Sequence, residues 1–326
     1  MAQPLAFLNG EMVPADQAVL PVSDAGIVQG ATVSETLRTF GHELFRLDDH
    51  LWRFANSLET VGFDIGLSSD ELAGICRDVV AHNSVATAQD NDLGLVLFAT
   101  AGPYATYSGQ VAGSVPSTPS VCVHTFPLPF ELWSDMQSTG LHLVTSAVRQ
   151  LPRSCIDPAI KHRSRLHYYL ADRQASVAAP GARAVLLDSD GRLTETAAAS
   201  FLLFDDSGVV SPESDSVLPS ISVAVVEELC EAAGIGFSHR ELRPDDVSDA
   251  TEAFVATTPY CLAPVTSFNN APVGRGEPGP VYDQLMTAWS QMVDVDIRLQ
   301  VQQQATFRLE AASMTPTANQ EAGKRE

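Results

Sequence analysis

Asp157-Pro158-Ala159-Ile160-Lys161-His162-Arg163-Ser164-Arg165-Leu166 contains one of only two lysines in 326 residues, the other being Lys324. All remaining Lys/Arg charge is carried by 17 arginines. On a solvated surface arginine serves as well as lysine, but it keeps its proton near neutrality and cannot form an imine. A lysine amine can do both once burial or neighbouring positive charge lowers its pKa. His162, Arg163 and Arg165 supply such neighbours. Lys161 is therefore the candidate nucleophile, weighed against a leftover surface lysine.

Composition limits what such an amine could serve. A chain of 326 residues suggests two domains, and 45% hydrophobic with 18% charged residues is enough to bury a core. The net charge of −21 and a pI near 4.6 argue against a nucleic-acid or anionic-membrane partner. Five dispersed cysteines without a CxxC suggest neither a zinc site nor a disulfide framework, and a reducing compartment is expected. No metal-ligand spacing occurs among the eight histidines. The N-terminus lacks the basic-then-apolar pattern of a signal peptide, and no apolar run reaches the roughly 18 residues of a membrane span. A soluble cytoplasmic protein is expected.

Periodicity sketches the elements. Asn9-Gly10 between two short apolar runs predicts a hairpin, and residues 31–40, rich in β-branched side chains, predict a strand. Leu51, Phe54 and Leu58 recur at helical spacing, and Ser69-Asp70-Glu71 opens a second helix. Residues 93–100, 121–126 and 141–148 read as strands, and 107–120 as a Ser/Gly/Pro/Thr linker. A helix is expected over 162–177, then hairpins around Asp190-Gly191 and Ser207-Gly208. Ser220 opens a helix through 233, residues 254–256 form a strand, and 281–292 form the last helix. The glutamine-rich segment from 301 to 326 has little to bury and is expected to be disordered.

Several short motifs flank Lys161 in a fixed order: Asn9-Gly10-Glu11, Ser34-Glu35-Thr36-Leu37-Arg38, Phe45-Arg46-Leu47-x-x-His50-x-x-Arg53, Leu193-Thr194-Glu195-Thr196, Leu218-Pro219-x-Ile221-Ser222, and Thr257-Thr258. Together, over residues 6–292, they resemble the fold-type IV pyridoxal-phosphate enzymes, which include branched-chain and D-amino-acid aminotransferases and aminodeoxychorismate lyase. The resemblance implies a two-domain α/β (α+β) protein. Its small N-terminal α/β domain would span 1–120, and a larger cofactor-binding domain, built on a mixed β-barrel-like sheet with flanking helices, 121–300.

It also implies pyridoxal 5'-phosphate held by Lys161 as a Schiff base, with Glu195 as the carboxylate facing the ring nitrogen. Arg46, Leu218, Ile221, Ser222 and Thr258 would bind the cofactor, chiefly its phosphate, while Ser34, Tyr104 and Thr257 would face the substrate. His50 and Arg53, three apart on one helix face, suggest a structural hydrogen-bonding histidine or a group close to the ligand. Two departures separate the subfamilies. Leu166 stands where branched-chain enzymes carry a tyrosine, and the Arg-x-His pair of D-amino-acid aminotransferases is absent. The expected activity is transamination between an amino acid, branched-chain ones included, and a 2-oxo acid, in a homodimer. Pyruvate elimination of the aminodeoxychorismate lyase type and a non-catalytic ligand-binding relative stay open as alternatives.

Overall fold

Asn9 and Gly10 both take positive φ (51° and 97°), as a two-residue hairpin turn requires. They join β1 (Leu5–Leu8) to β2 (Glu11–Pro14). In the computed structural model, which describes residues 3–85, 91–109, 118–213, 215 and 217–314, this hairpin edges a six-stranded antiparallel sheet. The other strands are β3 (Thr32–Phe40), β4 (Glu43–Leu44), β5 (Leu93–Thr100) and β6 (Ser120–Pro127), in the order β2-β1-β6-β5-β3-β4.

Two short helices, α1 (Ala25–Val28) and α4 (Ala105–Ser108), lie in its connections, and α2 (Leu47–Val61) and α3 (Ser69–Ser84) cover one face. Helical spacing puts Leu51, Phe54 and Leu58 of α2 on the side that meets Leu37, Leu95 and Leu97. The expected domain boundary at 120/121 is corrected by this sheet. Val121–Val123 are buried between β5 and β1, so the strand expected to open the second part completes the first. Of the linker expected over 107–120, residues 110–117 lie outside the described residues.

The second sheet has nine strands: β7 (Leu141–Arg149), β8 (Arg183–Leu187), β9 (Leu193–Thr196), β10 (Ser200–Asp205), β11 (Gly208–Ser211), β12 (Phe237–His239), β13 (Glu252–Thr257), β14 (Cys261–Phe268) and β15 (Ala271–Pro272). Six of them form a ring, β10-β13-β14-β7-β8-β9, which returns to β10 through the pair Glu195–Ser200. β7 runs parallel to both neighbours, so the barrel-like sheet is mixed. Around it lie α5 (Phe130–Thr139), α6 (Leu166–Ala178), α7 (Ile221–Ala233), α8 (Pro244–Asp249), α9 (Pro280–Met292) and α10 (Ile297–Met314). No helix among the described residues is long and apolar enough to cross a membrane.

Two further expectations are corrected. The helix expected from His162 begins only at Leu166, because the backbone before it is engaged by β3. The tail expected to be disordered is helical through Met314, with Val301 wholly buried and Gln300 and Gln304 nearly so. Its glutamines read as solvated, yet Gln300 accepts from Arg38 Nη2 (2.9 Å) and donates to Asp92 Oδ2 (2.7 Å), which offsets the cost of burying an amide. Residues 315–326 lie outside the described residues.

Behind the barrel, the buried Glu252 side chain accepts from the amides of Val281 (2.8 Å) and Tyr282 (2.9 Å), capping α9 from another element. Gly279 leaves room for it, since a Cβ there would collide with the Glu252 carboxylate. Glu252→Ala should lower unfolding stability by about 1–3 kcal/mol, read from urea denaturation curves. A change below about 0.5 kcal/mol would show that the cap contributes nothing.

Candidate active site

The unpaired edge of β3 holds the lysine in place. Ser34 N donates to Lys161 O (2.9 Å) and Arg163 N to Thr32 O (3.0 Å), while Lys161 N donates to Ser57 Oγ (3.3 Å). Ser164 Oγ closes the attachment on Gly30 O (2.8 Å). The lysine is thus fixed to the first sheet while its side chain enters a cavity of about 450 Å³ bounded by both sheets. Burial, aided by Arg53 and Arg165 and opposed by Glu35 and Glu195, lowers the Lys161 amine to about 8. Among the described residues Lys161 Nζ takes no salt bridge or side-chain hydrogen bond, so this half-buried lysine presents an amine without a partner.

Beside it lies a fully buried carboxylate. Glu35 accepts from Arg53 Nε (2.8 Å) and Nη2 (2.7 Å) and pairs with His50 Nδ1 (2.7 Å). Burial alone would raise its pKa, but these partners together hold it at about 2. His50 is buried, which lowers its pKa, and its Nε2 lies 3.3 Å from Thr258 Oγ1. Arg53 Nη1 donates to Pro219 O (2.7 Å), which fixes the turn that leads into α7.

That turn makes one end of the cavity. Ser220 caps α7, accepting from Val223 N, so the Ile221 and Ser222 amides open a helix with no intrahelical acceptor. Ser222 and Thr258, both buried, bring their hydroxyls within 3.5 Å of each other at this end. Free amides, a helix dipole, two hydroxyls and Arg53 form a cradle for an anion.

A different carboxylate, Glu195, sits where β9 and β10 close the ring. Its partners are neutral: Tyr168 Oη donates at 2.5 Å and Gln150 Nε2 at 3.1 Å. Burial raises its pKa, and the Tyr168 phenol is pushed up as well. Arg165 also lines the cavity, its guanidinium 4.5 Å over the Tyr168 ring, and makes no ion pair among the described residues. His162 and His167 are lowered by burial, His167 to about 4, so the positive charge here belongs to the arginines and the lysine.

Of the residues singled out from sequence, Lys161, Glu195, Leu218, Ile221, Ser222, Thr258, Thr257 and Ser34 line this one cavity. Arg46 does not. It precedes α2 in a left-handed conformation (φ 54°), and its guanidinium pairs with Glu228 and Asp49 outside the Lys161 cavity. Of the two arginines in that motif, Arg53, two helical turns on, is the one that lines the cavity. Tyr104 is also outside the lining, its ring edge-on to Tyr107 at 5.2 Å. Gln150, Tyr168, Trp133 and Tyr260 line the cavity with no sequence signal that joins them to the lysine.

Residues 32–268 match the family model for amino-transferase class IV. The chain belongs to that family. This class IV aminotransferase, a pyridoxal-phosphate-dependent enzyme of fold type IV, is 27% identical over 283 residues to a D-alanine aminotransferase of Bacillus licheniformis, covering 86% of this chain and 94% of that one. It is 26% identical to a branched-chain-amino-acid aminotransferase of Escherichia coli, covering 87% and 91%. A solved T.th. branched-chain amino acid aminotransferase, with pyridoxamine 5'-phosphate, superposes with a TM-score of 0.80 at 23% identity, covering 90% of this chain and 95% of that one.

The residues of the aminotransferase fit its cofactor. An unpartnered amine, an anion cradle and a carboxylate without a cationic partner share one cavity. Among the described residues, the buried Gln150 Oε1 and His162 Nδ1 atoms in its lining have no hydrogen-bond partner. In cofactor-free enzyme, acetylation of Lys161 followed by mass spectrometry should rise with pH to a midpoint near 8, because a lowered pKa frees the amine above that value. Glu35→Gln removes a charge that raises this pKa and should move the midpoint lower. A midpoint near the ordinary 10.5 would refute the buried-amine assignment.

Proposed function

We propose that this aminotransferase moves an amino group between an amino acid and a 2-oxo acid with Lys161 as the amine that bonds the cofactor's aldehyde carbon. The observation that carries this reading is the Lys161 amine, unpaired and lowered to about 8, in one cavity with the anion cradle and Glu195. When bound, the cofactor supplies the electron sink for the carbanion chemistry. Arg53, the Ile221 and Ser222 amides and the Thr258 hydroxyl hold its phosphate, which sets the ring against the lysine. Glu195, held by Tyr168 and Gln150, keeps a proton on the ring nitrogen. Lys161 Nζ, once free as an amine, would take the proton from the substrate Cα and deliver it at C4′. Its lowered pKa leaves a useful fraction unprotonated near neutrality.

Borohydride treatment of cofactor-saturated enzyme followed by peptide mapping should place the reduced adduct on Lys161, and Lys161→Ala should abolish both the adduct and amino transfer. An adduct elsewhere, or none, would overturn this reading. Arg53 and Arg46 divide the phosphate assignment. Arg53→Ala should weaken cofactor affinity by roughly tenfold to a hundredfold. Arg46→Ala should change it by less than about threefold, since an exposed pair contributes little. Spectroscopic titration with the cofactor measures both, and the reverse order would restore Arg46 to the phosphate.

A further inference from the structure

Aromatic rings also line the cavity that holds the lysine and the anion cradle. Phe126, Trp133 and Tyr260 line it, with Pro129 and Pro259 between them. Trp133 meets Tyr260 edge-on at 6.0 Å and Phe130 at 5.4 Å. The cofactor's contacts in the proposed reading (Lys161, Glu195 and the start of α7) do not include these rings, which leaves them for the substrate's own side chain.

The wall is held from behind by several independent contacts. Arg38, with no exposed surface, donates to Pro259 O (2.9 Å) and to Gln300 Oε1 (2.9 Å), and its guanidinium lies 4.0 Å from the Phe40 ring and 5.9 Å from the Trp133 ring. Val301 of α10 packs in one cluster with Leu128, Phe130 and Trp133. Arg308, two turns further along α10, donates to Leu128 O and pairs with Glu131 (3.4 Å). Phe126 is seated by Gly94, where a Cβ would collide with the ring. A buried arginine, a C-terminal helix and a glycine that leaves room for Phe126 therefore fix three rings that are not among the proposed cofactor contacts.

We infer that Phe126, Trp133 and Tyr260 form the substrate side-chain pocket, and that α10 braces Trp133 so that the enzyme selects amino acids and 2-oxo acids with aromatic side chains. This deepens the proposed function and rests on it for the position of the reacting carbon. Rings favour rings edge-to-face, with a contribution beyond the area buried, and a braced wall keeps that geometry. A small aliphatic side chain would leave the rings unmatched.

Two measurements on cofactor-loaded enzyme separate this inference from the reading beneath it. The first is binding of unreactive carboxylic acids, followed by the cofactor's absorbance: 3-phenylpropionate should bind about tenfold or more tightly than 4-methylpentanoate. Trp133→Ala should erase the difference, and Arg308→Ala, which leaves the rings in place and removes the brace, should reduce it. The second is the ratio of kcat/KM for phenylalanine to that for alanine, in both hands, which should fall about tenfold or more in Trp133→Ala. Equal binding of the two acids, or a Trp133→Ala loss of the same factor for every donor, would overturn the inference. Failure of every donor while 3-phenylpropionate still binds selectively would overturn transamination and leave the aromatic pocket standing.

Discussion

The Glu35 carboxylate is the constraint on which the site depends. It comes from β3 of the first sheet, has no exposed surface, and is held by two bonds from Arg53 and one from His50. Each partner then reaches into the second sheet's territory: Arg53 to the Pro219 carbonyl and His50 to the Thr258 hydroxyl. The two loops that form the anion cradle are therefore positioned by one buried charge on the opposite sheet. Such a charge is tolerable only when fully paired, and removing one partner strands the others. The same strand holds the Lys161 backbone through Ser34, so amine and cradle are referenced to a single element.

Lysine scarcity makes Lys161 legible, and the physical account of it shifts once the fold is known. Its sequence neighbours His162, Arg163 and Arg165 suggest that positive charge depresses the amine. Burial comes first instead, and of those three only Arg165 contributes, with Arg53 from α2. Glu195 is legible through its motif, because the strand that carries it also closes the barrel. Arg46 and Arg53 are not distinguishable in the same way. Both fall in one short stretch, and which of them faces the cavity is decided by a contact with Pro219, 166 positions away from Arg53. The helical spacing of His50 and Arg53 marks one face, yet nothing local shows that Glu35 lies beneath it.

The C-terminal helix shows the opposite failure, where local composition misleads. Glutamine, threonine and alanine without a periodic apolar stripe read as a solvated tail. Yet Gln300 is buried because Arg38 and Asp92 are buried beside it, and an arginine and an aspartate 3.8 Å apart need an amide to complete their bonds. Polar residues can thus form a core contact when their partners lie far off in sequence, a case that hydrophobic periodicity cannot register. The same principle explains why the 121–126 run gives no sign of its sheet: its apolar pattern is equally compatible with either, and pairing with β5 and β1 decides.

The two carboxylates near Lys161 illustrate how a fold assigns roles to identical groups. Glu35 is held by the Arg53 guanidinium and the His50 ring and driven to about 2, so its charge is already satisfied and has nothing left to offer a ligand. Glu195 is half-buried, its side-chain hydrogen bonds come from a phenol and an amide, and desolvation raises its pKa. A carboxyl in that state gains most from a cation brought against it, because the arriving charge offsets the cost of desolvation that its own protein partners leave unmet. Arg165 lies close enough to act on it electrostatically yet stacks on Tyr168 instead of forming a salt bridge with the carboxylate. In the proposed reading, the opposite pKa shifts of two glutamates flanking one lysine divide their work: Glu195 faces the ligand, and Glu35 holds the site together.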